Sequence, residues 1–259
     1  MNSIWIVAKK EWKSFFFTPS FYFVAFLITL ILSFLFPVHF SMFSQVAQMA
    51  QPGLQAGQQA NIHFGLFLKH LSYLNLILIF IVPAFTMKLL AEEKKMRTFD
   101  LLLTSPITSW HIVLGKFLGV SGAIMVIMLL ALLYPLSTLL FVPSLHGPSL
   151  FLAFIGIYFL SLIYASMNLF CSSLTESVLV SYIMSVILNV SIWFVGIGIE
   201  AVDSQWARQI FEHISLSTHL GAMVEGTLRT QSLVFFLSAI GLFLFMSERV
   251  VESHRWRAS

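Results

Sequence analysis

Few residues of this sequence combine types and spacing that could support chemistry. Glu212, His213 and His219 stand close together in the chain, and two imidazoles beside a carboxylate are similar to ligand sets that bind zinc. Their spacing fits no standard zinc pattern, so we predict that the chain holds no metal. A membrane enzyme that uses these histidines is the least favoured hypothesis. A Ser–His–acid triad depends on geometry rather than sequence order, but no Gly-x-Ser-x-Gly motif supports one.

A nucleotide-binding P-loop requires the pattern Gly-x-x-x-x-Gly-Lys-[Ser/Thr], and the sequence does not contain it. Gly115-Lys116 comes nearest, but no glycine stands five positions before Gly115. The chain is therefore predicted to bind no ATP through a P-loop of its own and to need no cofactor.

The most unusual stretch is AEEKKMRTFDLLLTSPITSWHIVLGKFLG, residues 91–119. Six charges fall within Glu92–Asp100, although only 10% of the whole chain is charged. Acids come first, bases next and a leucine run last. This order is compatible with a helix that contacts another protein, or with a solvated hairpin that only follows the positive-inside rule.

The composition indicates a membrane protein. Of 259 residues, 58% are hydrophobic, and the mean hydropathy is +0.91, whereas soluble domains carry about 25% charged residues. The net charge of +3 comes from bases that recur at the edges of apolar runs, which argues against nucleic acid as a partner. Cys171 is the only cysteine, so no internal disulfide can form.

Six apolar runs are long enough to span a bilayer, since a span needs roughly 20 residues. We therefore predict an all-α integral membrane protein with one membrane domain over residues 1–259. The predicted spans are about 21–38, 71–90, 117–142, 149–171, 177–199 and 232–251. The third is long enough to tilt, or to bend at Pro135.

The distribution of bases predicts the orientation of the chain. With both termini in the cytoplasm, every Lys and Arg except Lys69, Arg208 and Arg229 lies on the cytoplasmic side. We therefore expect a multi-pass protein of the inner (cytoplasmic) membrane. The charged stretch then forms its only sizeable cytoplasmic loop, and residues 39–70 and 200–231 lie outside.

Residues 1–19 are predicted to form an amphipathic helix in the membrane interface. On a 3.6-residue period one side is apolar and aromatic, while the bases lie elsewhere. Thr18-Pro19 then turns the chain into the membrane. The residues of interest in this entry helix are Trp5, Lys9, Lys10 and Trp12.

Residues 91–109, which we call the coupling segment, are predicted to be helical with Met96, Phe99 and Leu103 on one stripe. Thr104-Ser105-Pro106 should end that helix, and Ser109 should cap the next one. The small residues Gly115, Gly119 and Ala123 then allow close helix packing.

The order of an entry helix, six spans and a charged helix between spans two and three resembles the membrane permease of type-2 ABC transporters. The stretch of residues 91–119 is similar to that family's run of two acids, bases, a Gly-Thr, a leucine pair, a proline and a Gly-Lys. The closing LSTHLGAMVEGTLRTQSLVFFLSAIGLFLFMSERVVESHRWR is similar to the gliding-motility and copper-accessory branch. Arg97 departs from the pattern, because the family usually has glycine before Thr98.

This resemblance implies that the coupling segment seats in a cleft of a separate ATPase subunit, which binds ATP and Mg. The residues it would contribute are Glu92, Glu93, Lys94, Lys95, Arg97, Thr98, Phe99 and Leu102. The resemblance also implies an exporter built from two permease chains, identical or related, with the substrate path between them. Residues 200–231 would form short re-entrant helices in the outer leaflet.

An alternative of another class is a membrane anchor that recruits a cytosolic partner. It would need the charged loop but neither a packed interior nor a re-entrant segment. The span interiors hold few ionisable groups, which favours an energy source outside this chain over a proton or ion relay. The sequence selects no substrate.

Overall fold

The computed structural model describes residues 3–49, 66–99, 107–141, 147–199, 204–224 and 226–258, and every regular element in these ranges is a helix. The first half of the chain contains α1 (Ser3–Phe17), α2 (Pro19–Met49), α3 (Leu68–Thr86) and α4 (Lys88–Lys95). The second half contains α5 (Ser109–Phe141), α6 (Gly147–Leu174), α7 (Val178–Gly198), α8 (Gln205–Ile214), α9 (Leu216–Val224) and α10 (Thr230–Ala258).

Six of these helices are long and apolar enough to cross a membrane, which confirms the predicted number of spans and the all-α membrane class. The candidate spans are Pro19–Gln45, Leu68–Lys95, Ser109–Ser137, Ser149–Leu174, Val178–Gly198 and Thr230–Trp256.

Two helices continue past the apolar runs from which the spans were predicted, and the limits of the spans themselves stay a prediction. Helix α2 extends beyond residue 38, so His39 is helical, and it contacts His70 with 5.9 Å between ring centroids. Helix α5 begins at Ser109, before residue 117, so Lys116 lies within a continuous helix. That helix also runs through Pro135 without interruption.

Helix α6 is the centre of the bundle, in contact with α3, α4, α5, α7, α9 and α10. Polar side chains connect the spans around it. Tyr164 of α6 donates a hydrogen bond to Asn75 Oδ1 at 3.1 Å. Asn189 of α7 donates to the Ile79 carbonyl at 3.2 Å. Pro83 lacks the N–H that would otherwise bond to that carbonyl, so Asn189 satisfies a group that the proline leaves open.

The segment before the last span folds as two short helices, α8 and α9. No residue of α8 is buried, whereas α9 buries most of its length, including Leu220 and Met223. These two side chains lie against Gly156 of α6, where a Cβ would meet Met223 Sδ at 2.8 Å. Whether the segment enters the outer leaflet stays a prediction.

Candidate functional site

Helix α4 continues the direction of the second span after a break at Met87 and carries the first charges of the coupling segment. Ser172 at the end of α6 bridges the break. Its hydroxyl accepts hydrogen bonds from the N–H groups of Leu90 and Ala91 and donates to the Met87 carbonyl at 3.0 Å. The break is therefore fixed by a neighbouring helix and not left open to water.

Helix α4 ends at Lys95 in a Schellman motif, which closes the helix with a residue in the left-handed conformation. Arg97 has a φ of 57°, its N–H bonds to the Lys94 carbonyl, and the Thr98 N–H bonds to the Glu93 carbonyl. The predicted stripe of Met96 and Phe99 is therefore wrong. Because the helix stops between them, Met96 is exposed and Phe99 is buried.

Helix α9 ends in the same motif, with glycine at the equivalent position. Gly226 has a φ of 80°, and the N–H groups of Gly226 and Thr227 bond to the carbonyls of Met223 and Ala222. Arg97 thus occupies a backbone position that normally favours glycine, since a Cβ is crowded there.

Replacing Arg97 with glycine is expected to stabilise the chain by about 1 kcal/mol, because the left-handed conformation costs a non-glycine residue roughly 1–2 kcal/mol. Thermal unfolding in detergent should show a midpoint higher by roughly 2–4 °C. The control is Lys95→Gly two positions earlier, inside the helix, which should lower the midpoint. If both variants lowered it equally, the strain assigned to Arg97 would be wrong.

Lys116 of α5 forms a buried ion cluster with residues of α1 and α4. Its Nζ lies 3.0 Å from Glu11 Oε1 and 2.8 Å from Glu93 Oε1, and its side chain is only 1% exposed. Lys10 joins from the surface, 3.4 Å from the same Glu93 oxygen. We call Lys10, Glu11, Glu93 and Lys116 the ion cluster.

The ion cluster fixes three helices to one another, because each contributes a charge that the others neutralise. An ammonium with 1% exposure is costly unless it is paired and hydrogen-bonded, and two carboxylates supply that pairing. Displacing α4 alone would break the Glu93–Lys116 contact and leave Lys116 with Glu11 as its one remaining carboxylate partner among the described residues.

Lys94 follows Glu93 in α4 and connects a different side of that helix to two further helices. Its Nζ donates to the Ser173 carbonyl at the end of α6 and lies 2.9 Å from His254 Nε2 of α10. When Lys94 is an ammonium, it donates to His254 Nε2. Lys94 is 8% exposed.

The predicted partner-contacting residues thus divide into an inner and an outer group. Phe99 is buried against His254, with 6.1 Å between ring centroids, and Lys94 Nζ lies over its ring at 5.4 Å. Glu93, Lys94 and Phe99 bind within the chain, and Glu92 is half-buried. The residues Lys95, Met96, Arg97 and Thr98 are exposed, and we call them the exposed tip. Leu102 lies outside the described residues.

The glycines of α5 position the entry helix α1 against the ion cluster. A Cβ on Gly115 would lie 2.6 Å from Val7 Cβ and 3.0 Å from the Ile4 carbonyl oxygen, and one on Gly119 would lie 2.5 Å from Glu11 Cβ. The packing partner of this series is therefore α1. Ala123 is fully buried.

The aromatic residues of the entry helix lie partly on its outer surface. Trp5 and Trp12 are 52% and 38% exposed, with their rings 6.1 Å apart edge to face. Trp12 also covers Gly122, where a Cβ would overlap its ring. Lys9 and Lys10 are exposed. Contact of these residues with lipid headgroups stays a prediction.

The start of α5 is bonded to the C-terminal helix. Ser109 donates to Glu252 Oε2 instead of capping its own helix, and Arg255 donates to the Ile107 carbonyl at 3.0 Å. The expected cap at Ser109 is therefore wrong. Thr108 precedes the helix, and the His111 ring bonds back to it, because His111 Nδ1 accepts from the Thr108 N–H at 3.3 Å and contacts the Thr108 hydroxyl at 2.6 Å.

Sequence reasoning missed the roles of Glu11, Lys116, Ser172 and His254. One signal was present for Glu11. It stands three residues after Ala8 and four before Phe15, so a lone acid lies on the apolar side of a predicted amphipathic helix. Such a residue indicates a buried basic partner.

The histidines considered for zinc form a structural arrangement. His219 Nε2 lies 3.2 Å from the His213 carbonyl oxygen, and His219 Nδ1 lies 3.2 Å from Ser232 Oγ. Burial lowers the pKa of His219, which favours a neutral ring that donates from one nitrogen and accepts at the other. Within the described ranges, no three His, Cys, Asp or Glu side chains are grouped to hold a metal.

A cleft of about 580 Å³ lies beside the ion cluster, between α1, the start of α2 and the junction of α3 with α4. Charged residues of α1 and α4 line one end of it. Phe21 and Val24 of α2, with Phe85 of α3, line the other. The cleft therefore changes from polar to apolar along the direction of the second span.

Comparison with known families gives one match over most of this chain. Residues 5–215 match the family model described as ABC-2 family transporter protein. A comparison with curated proteins gives no match. The branch assignment stays a prediction, because its motifs lie in residues 216–257, beyond the matched region.

Proposed function

Because this chain belongs to the ABC-2 family of transporter proteins, we propose that it is the permease subunit of an ATP-driven exporter and couples to a separate ATPase subunit. Membership of this family makes it a membrane transport component rather than a catalytic chain. ATP and Mg are then bound by the partner. The coupling segment is the contact between the two subunits.

The position of α4 is the observation that carries this proposal. Its exposed tip, Lys95 to Thr98, is available to a partner. Its other sides are bonded to α1 and α5 through Glu93, and to α6 and α10 through Lys94. A segment that is exposed at one end and bonded to four helices at its base is suited to transmit a displacement.

The proposed orientation places the termini and the exposed tip in the cytoplasm of a cell with an inner membrane. Support comes from the distribution of the bases. One end of the bundle carries Lys10 and Lys116 of the ion cluster, together with Lys88, Lys94, Lys95 and Arg97. The opposite end carries Lys69, Arg208 and Arg229. This is the asymmetry that the positive-inside rule describes.

The substrate path is proposed to lie between two permease chains, either identical or related. Helix α7 supports a partner on its outer side. Its buried residues are the small polar Ser181, Ser185 and Asn189, whereas large apolar side chains are exposed, namely Leu179, Ile183, Ile187, Phe194 and Ile197. Lipid or a second permease could cover this apolar face.

In the proposed mechanism, ATP binding closes the ATPase pair and displaces the exposed tip. The ion cluster transfers the displacement to α1 and α5, and Lys94 transfers it to α6 and α10. These helices move as nearly rigid bodies, which opens the path between the permeases. This chain transmits force and binds substrate, and it forms no covalent bonds.

Co-purification tests the proposal. The wild-type chain, extracted in mild detergent from its native cell, is expected to bring down a P-loop ATPase. Reversing two exposed charges with Lys95→Glu and Arg97→Glu should reduce the recovered ATPase about ten-fold, because charges at the edge of an interface control association.

Arg208→Glu is the control, since it reverses an exposed charge, paired with Glu212, at the opposite end of the bundle. It should leave recovery unchanged. Absence of any ATPase after crosslinking would contradict the coupling proposal and favour the membrane anchor. The anchor hypothesis alone does not account for the internal bonds of Glu93 and Lys94.

A further inference from the structure

We infer that the cleft beside the ion cluster binds the headgroup of a zwitterionic phospholipid with a primary ammonium, of the phosphatidylethanolamine type. This inference concerns a lipid site within one chain and does not depend on the ATPase contact. It rests on three observations, namely the charge balance of the cleft, the open hydrogen-bonding groups in its wall, and its change from polar to apolar.

The charge balance of the cleft favours a zwitterion. Three bases and three acids line its polar end, namely Lys10, Lys88, Lys116, Glu11, Glu92 and Glu93. Lys116 is neutralised by Glu11 and Glu93 within the ion cluster. A ligand with a net charge would place an unbalanced charge in this partly enclosed site. A zwitterion adds one positive and one negative charge, so the site with its ligand stays neutral.

The carboxylates supply a site for an ammonium group. Glu93 Oε2 is buried and has no hydrogen-bond partner within the described residues, although Glu93 Oε1 is bonded to Lys116. A buried carboxylate oxygen without a donor is costly, so a ligand N–H that reached it would be favoured. Glu92, half-buried one position earlier, provides a second acceptor at the same wall.

The phosphate of the same headgroup has suitable donors at the edge of the cleft, close to the same carboxylates. Lys10 and Lys88 are exposed lysines at the edge of the cleft, and Ser20 stands in the first turn of α2. The positive end of the dipole of this long helix, which begins at Pro19, also favours an anion. Ammonium and phosphate can therefore be bound at once.

The apolar end of the cleft indicates a lipid rather than a free headgroup. Phe15, Phe21, Val24 and Phe85 line it, and the rings of Phe15 and Phe85 lie 5.8 Å apart. Phe21 and Val24 stand at the start of the first candidate span and Phe85 stands in the second, so the apolar end lies alongside the spans. An acyl chain can leave the cleft there without crossing polar surface.

Native mass spectrometry of the delipidated full-length chain with defined lipids tests the inference. Phosphatidylethanolamine is expected to bind about ten-fold more tightly than phosphatidylcholine, whose quaternary ammonium cannot donate a hydrogen bond. Phosphatidylglycerol, which has the phosphate but no ammonium, should also bind about ten-fold more weakly. Equal binding of the first two, or tighter binding of phosphatidylglycerol, would overturn the inference.

Glu92→Gln should reduce phosphatidylethanolamine binding about five- to ten-fold and leave phosphatidylcholine binding unchanged. Glu212→Gln removes a carboxylate at the far end of the bundle and should change neither. Unchanged thermal unfolding of lipid-free Glu92→Gln would establish that the variant is folded. If the variant does not fold, the comparison of the three lipids on the wild-type chain still tests the inference. Soluble phosphoethanolamine that bound as tightly as the lipid would show that the apolar end contributes nothing and would refute a lipid site.

Discussion

Replacing Lys116 with methionine is expected to lower the free energy of unfolding by about 3 kcal/mol, one of the largest effects of any single substitution in this chain. Methionine fills most of the same space but leaves Glu11 and Glu93 facing each other without a cation. Removing one partner from a buried pair typically costs about 3–5 kcal/mol. We take the lower end because the Glu93 side chain keeps 17% exposure.

Thermal unfolding in detergent should show this loss as a midpoint lower by roughly 6–12 °C. Lys10→Met is the matched control, since it removes an ammonium from the same Glu93 oxygen but at 64% side-chain exposure. Exposed ion pairs contribute at most about 1 kcal/mol, so the control should move the midpoint by no more than a few degrees.

A combined variant separates the charge effect from lost packing. When Glu11→Gln and Glu93→Gln are added to Lys116→Met, the one charge left in the ion cluster is the exposed Lys10, and most of the lost stability should return. If the triple variant were as unstable as Lys116→Met alone, the ion cluster would owe its effect to side-chain packing. In the assembled transporter, the triple variant should still lose coupling of ATP hydrolysis to transport.

The number of spans could be predicted from the sequence because hydropathy is a local property of each segment. The ends of the helices could not. Helix α2 runs through Pro37 and continues beyond residue 38, so it includes His39. Helix α5 begins at Ser109, eight residues before its apolar run. A helix can extend past its apolar run where its polar side chains find bonding partners. Those partners lie in distant parts of the sequence, so a local pattern does not reveal them.

The arrangement of the candidate site could not be predicted either, because it depends on contacts between residues far apart in the sequence. The charge density of residues 92–100 was visible in the sequence, but the division into half-buried Glu93, buried Lys94 and exposed Lys95 was not. It depends on Glu11 and Lys116, which are separated by 105 positions, and on Ser173 and His254. The motif that buries Phe99 depends on Arg97 adopting a backbone conformation that glycine usually fills.

For the glycines of α5, the sequence predicted close helix packing but did not identify the helix that packs against them. Small residues at positions 115 and 119 indicated close helix packing, but a single sequence does not say which helix approaches. The structure identifies α1, so the two glycines that admit the entry helix also bring Glu11 to Lys116. Packing and charge at this end of the bundle are therefore expected to be coupled.

Gly115→Ala is expected to destabilise the chain by about 1–3 kcal/mol through overpacking. The added methyl would lie 2.6 Å from Val7 Cβ and 3.0 Å from a backbone oxygen of Ile4, so α1 must move as a whole. Gly241→Ala is the control, because a Cβ there meets no atom within 4 Å. Since alanine is the better helix former, the control should stabilise the chain by up to about 1 kcal/mol.

Hydrogen exchange locates the effect, because a displaced α1 should exchange faster over Ser3–Phe17 in Gly115→Ala and not in Gly241→Ala. If α1 stayed protected in both variants, its contact with α5 would be looser than the structure indicates. Lifting α1 also withdraws Glu11 from Lys116, so Gly115→Ala and Glu11→Gln should destabilise less in combination than the sum of the two. This non-additivity would establish that the glycines and the ion cluster act as one unit, through which α4 and the entry helix must move together.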